Sequence, residues 1–99
     1  MENNILGTWD VYASEINNKP NGFMKDAWFS FTKDNKVQSN LFGEDEFKDF
    51  VIKGGKLLID TEDSFEMDIS RLSNDTLHLE GKLKVYYMKY FLVKRKNEI

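Results

Sequence analysis

The sequence predicts an all-β fold, an eight-stranded antiparallel up-and-down meander curled into a small closed or partly open barrel. Three observations predict it. Apolar residues recur at every second position far more often than at every third or fourth, the period of a strand with one wet and one dry face. The apolar runs are short and are broken at close intervals by Gly, Asn and Asp, which accept the backbone angles of tight turns. No stretch of useful length carries a helical period; the best candidate, residues 42–52, contains Gly43 and the β-branched pair Val51-Ile52. With 99 residues the chain, 1–99, makes a single domain. Its 8 Phe, 4 Tyr and 2 Trp supply the buried area that so short a chain needs.

A first strand is expected over residues 5–16, with Trp9, Val11 and Ala13 on one face and Asp10, Tyr12 and Ser14 on the other. Lys19-Pro20-Asn21-Gly22 concentrates turn formers, because Pro presets φ and Gly accepts positive φ. A second strand follows over 23–32, where Ala27, Phe29 and Phe31 alternate with Trp28, Ser30 and Thr32. Asp34-Asn35 signals a hairpin into a third strand over 37–42, and Gly43-Glu44-Asp45-Glu46 is the next polar break. Residues 47–53 and 56–60 read as two strands joined by a Gly54-Gly55 turn. After Glu62-Asp63-Ser64, Phe65, Met67 and Ile69 alternate with Glu66, Asp68 and Ser70, the cleanest one-sided strand in the chain. Ser73-Asn74-Asp75 turns into a strand over 76–80, and Gly81-Lys82 reads as one more tight turn. The last strand, over 83–95, is apolar on both faces, with Val85, Tyr87, Phe91 and Val93 against Tyr86, Met88, Tyr90 and Leu92. Sequential hairpins of this kind close most economically into a barrel, which hides both sheet edges; an open, strongly curved half-barrel is the runner-up.

Composition narrows the function. A net charge of −3 argues against a nucleic-acid or anionic-membrane surface, and the basic run Lys94-Arg95-Lys96 reads as a solvated tail. No apolar run is long enough to span a membrane. With no Cys there is neither disulfide nor thiolate chemistry. The N-terminus lacks the basic and apolar regions of a signal peptide, so a cytoplasmic protein is expected as encoded, or a secreted or periplasmic one if a signal peptide was removed. His78 is the only histidine; beside Glu80 on the polar face of a short strand, it reads as a surface residue rather than a catalytic base. The acidic runs Glu44-Asp45-Glu46 and Glu62-Asp63 lack the alternating oxygen ligands of a calcium loop. Gly54-Gly55 leads into a strand rather than a helix N-terminus, so it is not a phosphate loop. No enzyme, metal or cofactor is implied.

The opening Leu6-Gly7-Thr8-Trp9, followed by Val11, resembles the first-strand signature of lipocalins and their bacterial lipocalin-like relatives, in which Gly, any residue and Trp begin strand one. Phe29-Ser30-Phe31 before a polar turn, the glycine hairpin before Leu57-Leu58-Ile59, Asp75-Thr76-Leu77 and the aromatic last strand resemble the bacterial group. The resemblance implies that Trp9 packs across the closed end of the barrel against a basic residue of the final strand, Arg95 or Lys94. Arg95 is preferred, because a guanidinium stacks on an indole face. The chain departs from the pattern in being shorter than ordinary lipocalins, with no counterpart of their C-terminal helix, which implies a shallow barrel.

Two functions follow as expectations. The first, which the resemblance favours, is non-enzymatic binding of a small apolar or amphipathic molecule inside the barrel. Its candidate lining is Phe29, Phe31, Val37, Leu41, Met67 and Ile69, with Tyr87 and Phe91 from the last strand; Met67 would adapt to ligand shape and Tyr87 would supply a polar contact. The alternative is a protein-interaction domain, of immunity or inhibitor type or a homodimer through the last strand. It would use acidic loops and the exposed aromatics Tyr12, Trp28, Tyr86 and Tyr90.

Overall fold

Strand alternation organises the chain in the computed structural model, which describes residues 5–22, 26–43, 46–61, 65–83 and 85–95. Among the described residues nine strands follow one another: β1 (Gly7–Ile16), β2 (Lys19–Asn21), β3 (Trp28–Phe31), β4 (Lys36–Ser39), β5 (Phe47–Lys53), β6 (Lys56–Ile59), β7 (Phe65–Leu72), β8 (Thr76–Leu83) and β9 (Tyr86–Lys94). They form one antiparallel sheet in the order β2-β1-β3-β4-β5-β6-β7-β8-β9. β1 also pairs with β9, from Trp9 opposite Lys94 to Ile16 opposite Met88, and this closes the sheet into a barrel. The half-barrel is thereby excluded, and the two outer strands of the meander satisfy each other's backbone groups instead of offering edges to solvent.

Eight strands make the wall and β2 is an addition to it. One edge of β1 is shared, by β3 over residues 7–10 and by β2 over 14–16. The turn expected at residues 19–22 therefore lies earlier, at Asn17-Asn18. Both asparagines take positive φ, 53° and 67°, a conformation that Asn tolerates better than most residues. Asn17 also clips this hairpin to β9, its Oδ1 accepting from the Tyr87 amide at 3.0 Å and its own amide donating to the Tyr87 carbonyl at 2.8 Å. Gly54-Gly55 turns as expected, with φ of 60° and 77°.

Three further boundaries differ from the sequence reading. β4 stops at Ser39, because the Leu41 amide donates to Ser39 Oγ at 3.1 Å and the Phe42 amide to the Ser39 carbonyl at 3.1 Å. That turn breaks the alternation, so Leu41, expected inside, is exposed. Gly81-Lys82 is not a turn: β8 continues, with Gly81 opposite Met88 and Lys82 opposite Tyr87. A Cβ on Gly81 would stand 3.1 Å from Met67 Sδ and 3.2 Å from the Glu66 carbonyl oxygen, so the glycine is there for close packing. The second strand, expected over 23–32, is seen as Trp28–Phe31, and residues 23–25 lie outside the described residues.

The last strand faces the opposite way from the expectation. Met88, Tyr90 and Leu92 are buried, whereas Tyr87 and Phe91 are half-buried on the outer face. Pairing decides this. Leu92 lies opposite Val11 and Leu77, and Tyr90 opposite Ser14 and Leu79, while Phe91 meets His78 and Ala13. A bulge between Val11 and Ala13 shifts the register of β1, so that Ser14 rather than Ala13 continues the inner face. A second bulge between Ile69 and Arg71 leaves Ile69 half-buried at the rim of the core.

Candidate functional site

The barrel has two unlike ends. At one end lie the start of β1, the end of β9 and the 54–55 turn; at the other lie the 17–18 turn and the 40–43 loop. The first is closed by Trp9, which is fully buried and donates from Nε1 to the Ile5 carbonyl at 2.8 Å. Lys94, not Arg95, covers the indole: its Nζ lies 4.8 Å from the ring centroid and donates to the Leu6 carbonyl at 2.6 Å. Gly7 makes room for that lysine, with φ of +112° and a would-be Cβ only 3.3 Å from Lys94 Cε. Arg95 faces out and grips Asp10 with two hydrogen bonds, Nε to Oδ2 at 3.0 Å and Nη2 to Oδ1 at 2.5 Å. Alternation along β9 explains the choice, because inward parity runs through 88, 90 and 92 to 94. Of the basic run expected as a solvated tail, Lys94 and Arg95 are thus engaged, and Lys96 lies outside the described residues.

Above this floor the inner wall has two halves. On β3, β5 and β7 and the loop after β4 it is aromatic. Phe29 stacks on Phe31 at 6.2 Å and meets Phe42 and Phe65 at 6.1 and 6.2 Å, while Phe31 meets Phe50 edge-on at 5.0 Å. The facing half, from β7 through β9 to β1, carries Met67, Leu79, Met88, Tyr90, Ser14 and Val11. Of the expected lining, Phe29, Phe31, Val37 and Met67 are buried and Ile69 is half-buried. Leu41, Tyr87 and Phe91 lie elsewhere. Of the residues expected on the surface, Tyr12 and Tyr86 are exposed and Trp28 is half-buried, but Tyr90 is inside, 2% exposed.

Ser14 Oγ donates to the Asn21 carbonyl at 2.6 Å, and Ser39 Oγ accepts from the Leu41 amide. The Tyr90 hydroxyl makes no hydrogen bond among the described residues, while its backbone lies opposite Ser14 and Leu79. Burial pushes this phenol up to about 12, so it keeps its proton at any physiological pH. It is not sealed in protein either: among the described residues, His78 Nε2 is the polar side-chain atom that is both fully enclosed and unpartnered. The Tyr90 hydroxyl therefore keeps a little accessible surface. Sequence reasoning missed it, although Lys89 carried the signal. A charge in the 85-87-89-91-93 set marks that set as the wet face of a doubly apolar strand.

Outside the wall, Tyr87 donates to the Glu80 carboxylate, which holds its phenol above the ordinary tyrosine range. His78 packs edge-on against Phe91 at 4.8 Å, and desolvation, followed by the Arg71 charge, holds its imidazole below the usual histidine range. Both groups face away from the interior. A hollow of ≈ 290 Å³ is lined by Val51, Leu58, Asp49, Asp60 and Glu66 and also by the core residues Phe50, Ile59 and Phe65. Among the described residues, no three His, Cys, Asp or Glu side chains stand close enough to hold a metal ion, and no helix is long and apolar enough to cross a membrane. The acidic residues 44, 45, 62 and 63 lie outside the described set; Glu46 pairs with Lys48 at 2.9 Å.

No protein-family model matches the chain, and no curated protein matches its sequence. Its fold is similar to the crystal structure of a lipocalin-like protein from Bacteroides uniformis, with a TM-score of 0.70 over 93% of this chain and 99% of that one, at 15% identity. The architecture is thus that of a small lipocalin-like barrel.

Proposed function

We propose that the domain binds a small, mostly apolar molecule inside the barrel, entering from the end opposite Trp9, and performs no chemistry on it. The observation that carries this reading is the Tyr90 hydroxyl, on an inward side chain 2% exposed, which makes no hydrogen bond among the described residues. Buried polar groups are nearly always paired, and one left unpaired is a common mark of a binding position. The lipocalin-like barrel supports the reading as a fold that suits an enclosed apolar ligand. Met67 and Met88 support it too, because unbranched thioethers let a wall adjust around a guest.

The test is titration with a neutral polarity-sensitive dye, N-phenyl-1-naphthylamine. Saturable fluorescence at one dye per chain, with a melting temperature that rises with dye concentration, is the expected result. Dye that stays in water at every concentration, with an unchanged melting temperature, refutes interior binding.

A further inference from the structure

Resting on that reading, we infer that the ligand is a neutral molecule whose apolar body carries one hydrogen-bond acceptor of carbonyl type, and that Tyr90 Oη donates to that acceptor. Among the described residues the Tyr90 hydroxyl makes no hydrogen bond as donor or acceptor, and its side chain is 2% exposed. Trp9 Nε1 and Ser14 Oγ are already spent as donors on the Ile5 and Asn21 carbonyls, whereas Ser39 Oγ accepts from the Leu41 amide within the turn after β4. A phenol offers its proton to whatever lies in front of it, and the residues facing Tyr90 across the ladder leave that proton unclaimed.

Neutrality follows from the charges near the wall. Lys94 reaches the interior only at the floor, where the indole of Trp9 and the Leu6 carbonyl occupy its ammonium. Lys48 shares the register of the buried Val37, and its ammonium pairs with Glu46 at 2.9 Å. A carboxylate or an alkylammonium placed beside Tyr90 would be stripped of water without a counter-charge, and burying an unpaired charge is far costlier than burying a carbonyl. The phenol also stays protonated, so it offers no anion to a cationic guest.

The experiment is displacement of the same dye by four ligands that share a naphthalene ring: naphthalene itself, 2-acetylnaphthalene, 2-naphthoate and 2-naphthylmethylammonium. Against the wild-type protein the ketone is expected to compete about tenfold better than naphthalene, the difference one buried hydrogen bond makes, with both ions weaker than the ketone. In Tyr90→Phe the ketone and naphthalene converge. The ligand-free variant melts at or above the wild-type temperature, because the hydroxyl it loses has no partner to leave behind. A ketone preference that survives in Tyr90→Phe, a wild-type protein that does not distinguish ketone from naphthalene, or an ion that competes best overturns the inference while interior binding stands. A ligand-free Tyr90→Phe that melts several degrees lower also overturns it, by showing the hydroxyl bonded within the protein. Failure of the dye to bind the wild-type protein removes the interior reading itself, and the inference with it.

Discussion

Replacing Lys94 by Met tests which basic residue secures the closed end. Methionine keeps the length and apolar stem of lysine but removes the charge above Trp9 and the donor to the Leu6 carbonyl. A cation over a tryptophan face contributes about 0.5–2 kcal/mol depending on how far it is desolvated, and the lost hydrogen bond about 1 kcal/mol net. Together these put the cost of Lys94→Met at about 1.5–3 kcal/mol. For a domain of this length that lowers the melting temperature by about 6–24 °C. Arg95→Ala removes the pair with Asp10, whose side chains are 43% and 39% exposed, so solvent screening limits the loss to about 0.2–1 kcal/mol. Urea unfolding followed by far-ultraviolet circular dichroism measures both variants on one scale. The expected order is a large loss for Lys94→Met and a small one for Arg95→Ala. An Arg95→Ala variant as unstable as Lys94→Met refutes the assignment and returns the guanidinium to the indole.

Gly81→Ala drives a methyl towards Met67 Sδ and the Glu66 carbonyl, at 3.1 and 3.2 Å; the expected cost is about 1–3 kcal/mol, read as a lower urea midpoint with an unchanged slope. Phe29→Ala empties the centre of the aromatic half of the wall and is expected to lose about 3–5 kcal/mol by the same measurement, close to the whole stability of a small domain. His78 has a folded-state pKa depressed from 6.5, so the unfolded chain binds its proton first as acid is added. Its contribution is therefore complete above pH 6.5 and is lost as pH falls through the folded value. Unfolding free energies at pH 7.5 and 5.5 are expected to show that loss in the wild type and a smaller one in His78→Gln, whereas equal losses refute the assignment.

The local parts of this structure are legible in the chain because they depend on neighbours in sequence. Alternation in Phe65-Glu66-Met67-Asp68 predicts a strand with Met67 inside, since successive side chains on a pleated backbone must point to opposite faces. Gly54-Gly55 predicts a hairpin because a two-residue turn between strands requires positive φ. The Gly7-Thr8-Trp9 signature is likewise readable. Its geometric reason is visible only in three dimensions: the stem of Lys94 passes where a side chain on residue 7 would sit. The candidate site was harder to read. Half its wall, Phe29, Phe31, Val37 and Met67, follows from alternation. Tyr90 does not, because period alone cannot orient a strand that is apolar on both faces.

By itself, then, the sequence determined the element type, the meander and the aromatic content of the core, all consequences of two-residue periodicity and turn chemistry. The tertiary structure decided which face of β9 points inward, that Lys94 rather than Arg95 meets Trp9, that β1 bulges at Tyr12, and that the ends of the chain pair to close the wall. Each of these rests on register between segments far apart in the chain, such as Arg95 against Asp10, 85 residues away. A shift of one residue in that register exchanges the inner and outer faces of a strand while leaving its local pattern untouched. The inward placement of Tyr90 is a product of that register.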